Sequence, residues 1–296
     1  GIAVSSDCNG RYCYLDPYTG AQIAFAEAAR NVACAGGRAA AITDCLNFGN
    51  PEKPEVFWTF YESVRGLSDA CTAFGVPVIS GNVSFYNESF GSPIYPTPTV
   101  GLVGLLDDVE QRCTLDFKAE GDEIVLLGRT KAELGGSEYL KVVHGSVSGR
   151  PPKVDLVDER LLCELLVTAI GTGIVRSAHD CSEGGLAVAL AESCLAGGIG
   201  ATVDAGSTLA PVAALFAESQ GRAIVTVPAG GFGALKALAA THATACVKLG
   251  TVGGDRLRIG DLVDVTLDGM RGAYEPTLER LVHGDVTLST EELAEG

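Results

Sequence analysis

Along the chain, short apolar stretches alternate with longer runs whose apolar positions recur every three to four residues. That alternation predicts strands joined by helices. Residues 2–6 read as a strand. Residues 20–35 are Ala-rich, with Ile23, Phe25, Val32 and Cys34 on one face, and read as a helix stopped by Gly36-Gly37. Residues 39–43 read as a strand, 47–54 as a Gly/Asn/Pro loop, 56–74 as a helix ending at Gly75, and 76–80 and 99–106 as further strands. After a polar turn at 118–122 the pattern restarts. Strands are expected at 123–128, 174–178, 201–203, 222–227, 246–252, 255–259 and 262–267; helices are expected at 155–171, 184–196, 211–218, 231–242 and 269–282. The restart predicts two domains, 1–117 and 118–282, and a polar, frayed tail over 283–296.

Composition narrows the function classes. The 296 residues are 47% hydrophobic and 20% charged, which supports a sizeable core and speaks against disorder. The net charge of −16 speaks against a nucleic-acid surface, which needs clustered Lys and Arg. An acidic chain still binds phosphorylated ligands through Mg²⁺, backbone N–H groups and a few local cations. The ten cysteines are scattered with no Cys-x-x-Cys pair, so free thiols in a reducing compartment are expected rather than a zinc site. Cys8 and Cys13 are the closest pair. No signal peptide and no 18-residue apolar run is present, so a cytoplasmic location without a membrane span is expected. The chain opens without Met on a strand already under way and reads as a piece of a longer polypeptide.

Candidate chemistry concentrates in four places. Residues 179–193 place His179, Asp180 and Ser182 before Gly184-Gly185 and an apolar helical run. Glycines let backbone approach a ligand, and a helix start favours phosphate. Asp180 can hold Mg²⁺ against that phosphate. An ordinary helix capped by Asp180 or Ser182 fits the same spacing. Glu27 and Asn31, at i and i+4, share a helix face and can present two oxygens to one cation, although a solvent-facing polar stripe is the commoner reason for such a pair. In residues 43–51, a strand ends in Asp44 beside an Asn/Gly loop, which suits either a ligand site or a plain surface loop. In residues 79–87, a buried strand runs into Gly81-Asn82, with Ser84 two residues on. Gly81 can admit a phosphate, Asn82 can supply a carbonyl ligand and Ser84 can donate a hydrogen bond, but a hairpin-type turn fits too. Gly135-Gly136-Ser137 reads as a phosphate nest or a loop, and residues 218–222 place Arg222 near an anion or form a helix C-cap at Gly221.

Taken together, YLDPYTGAQIAFAEAARNV (14–32), TDCLNFGNPEKPEVFW (43–58), PVISGNVSFYNES (77–89), EGDEIVLLG (120–128), ELGGSEYL (133–140), AHDCSEGGLAVALAE (178–192) and ESQGRAIV (218–225) closely resemble the C-terminal half of phosphoribosylformylglycinamidine synthase, synthetase subunit, of the small bacterial type. That family lies in the AIR synthetase-like superfamily. The resemblance implies a mixed α+β fold: an α/β domain with a barrel-forming sheet, then an α+β domain with a sheet flanked by helices. It implies an ATP-dependent ligase that turns formylglycinamide ribonucleotide and glutamine-derived ammonia into formylglycinamidine ribonucleotide. Glutaminase and small bridging subunits, and the enzyme's own N-terminal half, are the implied partners.

By motif match, Asp44 and Gly81 contact ATP, Asn82 binds Mg²⁺ and Ser84 touches substrate. A second, degenerate nucleotide site for ATP or ADP takes Glu27, Asn31 and Asp180 as metal ligands and Ser182 as a nucleotide contact. One more aspartate is expected upstream of Gly1 and thus missing. The catalytic histidine lies in the other half; His179 is not assigned as a base, and no catalytic residue is expected here. The chain alone is therefore expected to be inactive and to self-associate through the sheet that its other half would cover. Another AIR synthetase-like ATP-dependent enzyme and a non-catalytic nucleotide-binding scaffold are the rival readings.

Overall fold

The computed structural model describes residues 1–205 and 207–283. The chain begins with β1 (Ile2–Asp7), α1 (Gly10–Leu15), α2 (Pro17–Cys34), β2 (Arg38–Asn47), α3 (Pro54–Phe74), β3 (Val78–Ser84), a short hairpin of β4 (Glu88–Ser89) and β5 (Ser92–Pro93), and β6 (Thr97–Leu105). The first long helix starts where Asp16 accepts the Thr19 N–H at 3.0 Å and Pro17 takes the first helical position.

The first sheet has the order β1-β6-β2-β3; β2 and β3 run parallel and the other pairs antiparallel. One face is covered by α2 and α3, burying Phe25, Ile42, Leu46, Phe48, Val100 and Leu102. The other face is bare: Ile2 and Val4 are each 71% exposed. At the edge strand β3, Val78, Ile79 and Val83 are exposed as well.

A 3₁₀ turn at Val109–Gln111 leads to the second sheet. Its elements are β7 (Glu123–Leu127), α4 (Glu138–His144), α5 (Leu156–Gly171), β8 (Ser177–Asp180), α6 (Gly185–Gly197), β9 (Ala201–Val203), α7 (Pro211–Phe216), β10 (Ala223–Val227), α8 (Phe232–Thr241), β11 (Cys246–Val252), β12 (Arg256–Ile259), β13 (Val263–Thr266), α9 (Leu267–Tyr274) and α10 (Thr277–His283). The order is β13-β12-β9-β11-β7-β10-β8. Every residue of β7 and β10 is buried, because one apolar layer around α6 and another around α5 and α8 cover both faces. Such strands read as continuous apolar runs. Helix α2 serves both layers: Ala33 and Cys34 enter the core beneath α5, while Leu156 and Cys163 pack against the first sheet's core.

Several sequence expectations change. Strand β2 continues to Asn47, so Asp44 lies within a strand rather than at its end. Gly81 and Asn82 lie inside β3, which is an exposed edge strand, and no hairpin turn occurs there. Pairing with β10 moves the strand expected at 174–178 to Ser177–Asp180. The helix expected at 269–282 is broken into α9 and α10. Helices α1 and α4 and the β4–β5 hairpin were not anticipated, since six- or seven-residue helices and two-residue strands carry too little periodicity. The tail expected at 283–296 lies, beyond His283, outside the described residues. No helix among the described residues is long and apolar enough to cross a membrane.

Candidate functional site

The ends of β1 and β8, the middle of α2 and the start of α6 converge. Strand β1 delivers Asp7, whose Oδ1 accepts a hydrogen bond from Asn31 Nδ2 at 3.1 Å and whose Oδ2 accepts one from the Ser5 hydroxyl. Asn31 and Glu27 come from successive turns of α2, and Asp180 ends β8. Glu183 follows, holding the Asn9 side-chain amide at 2.9 Å. Sequence reasoning paired Glu27, Asn31 and Asp180, and the structure brings them together. It missed Asp7, one residue beyond the strand expected there, which joins the cluster through Asn31.

One cation crosses this acidic cluster. Arg30 is fully buried; its Nη1 donates to both Glu159 oxygens at 2.9 and 3.0 Å. Its Nη2 donates to Gln220 Oε1 at 3.1 Å and Ser182 Oγ at 3.5 Å, and lies 3.8 Å from Asp180. Burial opposes its charge, but Glu159, Asp180 and Glu27 together push its pKa above the ordinary arginine value. Its Nε has no hydrogen-bond partner among the described residues. On the far side His179 bridges Asp180, 3.3 Å from Nδ1, and Glu192, 2.9 Å from Nε2. Burial works against the imidazolium, yet hydrogen bonds to those two carboxylates raise the His179 pKa to about 9. Asp180, itself buried, is held below the usual carboxylate range by His179 and Arg30.

Glu27 is the uncompensated member. It is 8% exposed and accepts no hydrogen bond among the described residues. Burial and the charges of Glu183, Asp180 and Asp7 raise its pKa well above that of an ordinary glutamate. The Asp7 pKa is also raised, mainly by burial. A divalent cation would relieve this excess of negative charge. Among the described residues no three His, Cys, Asp or Glu side chains form a ready-made metal cage. Hard oxygen donors spaced more widely suit Mg²⁺, which keeps waters and phosphate oxygens in its shell.

The Gly184-Gly185 start of α6 is not the open phosphate cradle that its sequence suggests. Glu218, fully buried, occupies it: Oε1 accepts the N–H groups of Gly184 and Glu138, each at 2.8 Å, and Oε2 accepts the Tyr12 hydroxyl. The chain supplies its own anion there. Both glycines adopt positive φ, and a Cβ on Gly185 would lie 2.5 Å from the Ala217 carbonyl oxygen. The cap residue is Gly184 with no side-chain bond, so neither Asp180 nor Ser182 caps the helix. The Ser182 hydroxyl donates to Asp180 instead. Arg222 is not an anion site either; its guanidinium is buried and donates to the carbonyls of Ser219 and Ala217 and to the Thr130 hydroxyl. Ser137 caps α4. All ten cysteines are free thiols.

The second candidate group lies on the first sheet. Asp44 of β2 stands opposite Gly81 of β3. A Cβ on Gly81 would sit 2.5 Å from Asp44 Oδ1, so glycine makes room for the carboxylate, which also accepts the Asn82 backbone N–H. Partial burial raises the Asp44 pKa. Asn82 and Ser84 alternate to the other face, where Asn82 Nδ2 donates to Ser84 Oγ at 3.4 Å. Asp44 and Gly81 therefore face the helical layer, whereas Asn82 and Ser84 face the bare side. The four come together only across the β3 edge.

A half-open sheet and a covered sheet, joined at an acidic cluster crossed by one buried arginine, define a two-part α+β module of the AIR synthetase-like type. The profile of "AIR synthase related protein, N-terminal domain" matches residues 1–106, and that of the corresponding C-terminal domain matches 119–261. The chain belongs to the AIR synthase related family. It is 58% identical over 227 residues to phosphoribosylformylglycinamidine synthase subunit PurL of Moorella thermoacetica, covering 77% of this chain and 31% of that protein. It is 48% identical over 296 aligned residues to the same subunit of an Anaeromyxobacter species, covering 97% of this chain and 39% of that protein. The fold matches that of Thermotoga maritima PurL complexed with FGAR, with a TM-score of 0.79 at 20% identity, over 91% of this chain and 45% of that one. The chain thus spans well under half the length of these relatives.

Proposed function

We propose that this chain acts as the C-terminal half of the synthetase subunit of phosphoribosylformylglycinamidine synthase. The reaction joins formylglycinamide ribonucleotide with ammonia at the expense of ATP, giving formylglycinamidine ribonucleotide, ADP and phosphate. The observation that carries this reading is the 48% identity to a PurL relative over 97% of the chain. Thermotoga maritima PurL has been solved with ATP, with ADP and with FGAR, and within a PurLQS structure. Those structures support nucleotide, substrate and other subunits as the partners here.

In this reading the units divide near residue 117, and two sites are distinguished. Asp44 and Gly81 present one wall of the active site to ATP, with Asn82 toward Mg²⁺ and Ser84 toward substrate. Asp7, Glu27, Asn31 and Asp180 hold Mg²⁺ beside a second nucleotide contacted by Ser182. When bound, Mg²⁺ neutralises phosphate charge. Arg30 and His179 orient Asp180 and keep it ionised, and Glu27 would hold the metal as a carboxylate. The bare face of the first sheet, with Ile2 and Val4 exposed, is the docking face for an N-terminal half, or for a second copy when that half is absent.

The decisive experiment measures ADP release from ATP, formylglycinamide ribonucleotide and ammonium chloride, with this chain alone and with an N-terminal half supplied in trans. Activity only in the mixture supports the proposal. Activity of the chain alone overturns the division of labour. If calorimetry shows tight Mg-ADP binding while neither sample turns over, the scaffold reading replaces it.

A further inference from the structure

We propose that a cleft at the end of the second sheet, remote in chemistry from the acidic cluster, binds a sugar phosphomonoester without a metal. The cleft opens where β7 ends and β10 and β11 begin, and is a small open cavity of about 90 Å³. Arg129, Lys131 and Lys153 line it. None of these side chains makes an ion pair or a hydrogen bond among the described residues, in a chain whose net charge is −16. Three cations without an ion-pair partner on one concavity suit a phosphate dianion.

The acidic residues of the same wall cancel them only in part. Glu159, in the floor, is neutralised by Arg30. Asp155 caps α5, its Oδ1 accepting the N–H groups of Val157 and Asp158 at 3.0 and 3.1 Å. Asp155 and Asp158 thus put two carboxylates beside the three cations of the mouth. Carboxylates repel a polyphosphate but accept hydrogen bonds from hydroxyl groups. The arrangement therefore selects a single phosphate carried on a polyol over a nucleoside triphosphate. The floor is preorganised: buried Gln220 receives Arg30 at 3.1 Å and donates to the Glu218 carbonyl at 3.1 Å. Ala243, also in the lining, is held at φ 52°, a conformation that a non-glycine residue adopts only where its surroundings enforce it.

The test is calorimetric titration of the whole chain, in EDTA, with ribose 5-phosphate, inorganic phosphate and ribose. EDTA silences any metal-dependent nucleotide site, and the charge variants of this cleft separate its binding from that of the proposed ribonucleotide substrate elsewhere. Saturable binding is expected for ribose 5-phosphate, weaker binding for phosphate and none for ribose. The Lys131→Gln/Lys153→Gln variant is expected to lose roughly tenfold or more in affinity, and Arg129→Gln alone a smaller factor, while Arg258→Gln, on β12, binds as the parent does. All three positions are exposed, so circular dichroism should show folded variants; if the double variant does not fold, Arg129→Gln carries the test. No saturable binding of ribose 5-phosphate at millimolar concentration, or equal affinity in the parent and the charge variants, overturns the proposal.

Discussion

Glu27→Gln separates a metal ligand from a merely buried acid. Glutamine keeps the shape of Glu27 and removes a charge that no hydrogen bond satisfies and three other carboxylates oppose. Leaving a buried polar group unpaired costs about 1–3 kcal/mol, more when it is charged. The variant should therefore gain about 1–2 kcal/mol without metal near pH 7, a rise of about 2–6 °C in melting temperature for a protein of this size. The sign with pH is fixed. The folded-state pKa is raised, so the parent loses stability as pH climbs from the unfolded value of about 4.3 toward the folded one, and the variant lacks that loss. With Mg-ADP the variant's lead closes. At a hundred times its Kd a ligand stabilises the parent by about 2.7 kcal/mol. Loss of a metal-coordinating oxygen should weaken binding at least tenfold and remove about 1.4 kcal/mol or more of that gain. Thermal unfolding of both proteins, with and without Mg-ADP, across pH, reads all three effects. A variant that melts lower than the parent in EDTA, or gains as much from Mg-ADP, refutes the reasoning.

Arg30→Met should destabilise by about 3–5 kcal/mol, because Glu159 and Asp180 then lie buried without their cation; a urea midpoint close to the parent's would show that the pair is not coupled to folding. His179 carries a pKa raised to about 9 by Asp180 and Glu192, so its contribution is complete below about pH 6.5 and fades as pH rises toward 9, by at most about 3 kcal/mol. His179→Gln should flatten that part of the pH–stability curve, and an unchanged curve would count against the bridge. Gly81→Ala should fold with little change, since the Asp44 side chain can swing away from the new methyl group. The displaced carboxylate should lower activity in the reconstituted mixture, measured as ADP release; full activity would remove Asp44 from the proposed ATP wall.

Much of the architecture was legible because it rests on local periodicity. The long helices α2, α3 and α5 and the buried strands β7, β10 and β11 appeared within a few residues of their observed bounds. Boundaries slipped where pairing, not composition, decides. Strand β2 extends four residues past Thr43 because β6 and β3 pair with it on both sides. Glu27, Asn31 and Asp180 stood out by motif. Asp7 did not, because one aspartate at the end of a strand carries no signal until Asn31, from another element, is seen to hold it.

The Gly-Gly start of α6 shows the division most clearly. Its sequence determined a helix beginning after two glycines, close behind Asp180 and Ser182. Only the tertiary structure decided what that helix end binds: Glu218, thirty-three residues after Gly185, fills it, while Asp180 and Ser182 turn toward Arg30 and Glu27. Local sequence sets backbone geometry, because steric and hydrogen-bonding preferences act over a few residues. The occupant of a charged site depends on which distant carboxylates and cations the packed core brings within a few ångströms, where low dielectric makes each of them count.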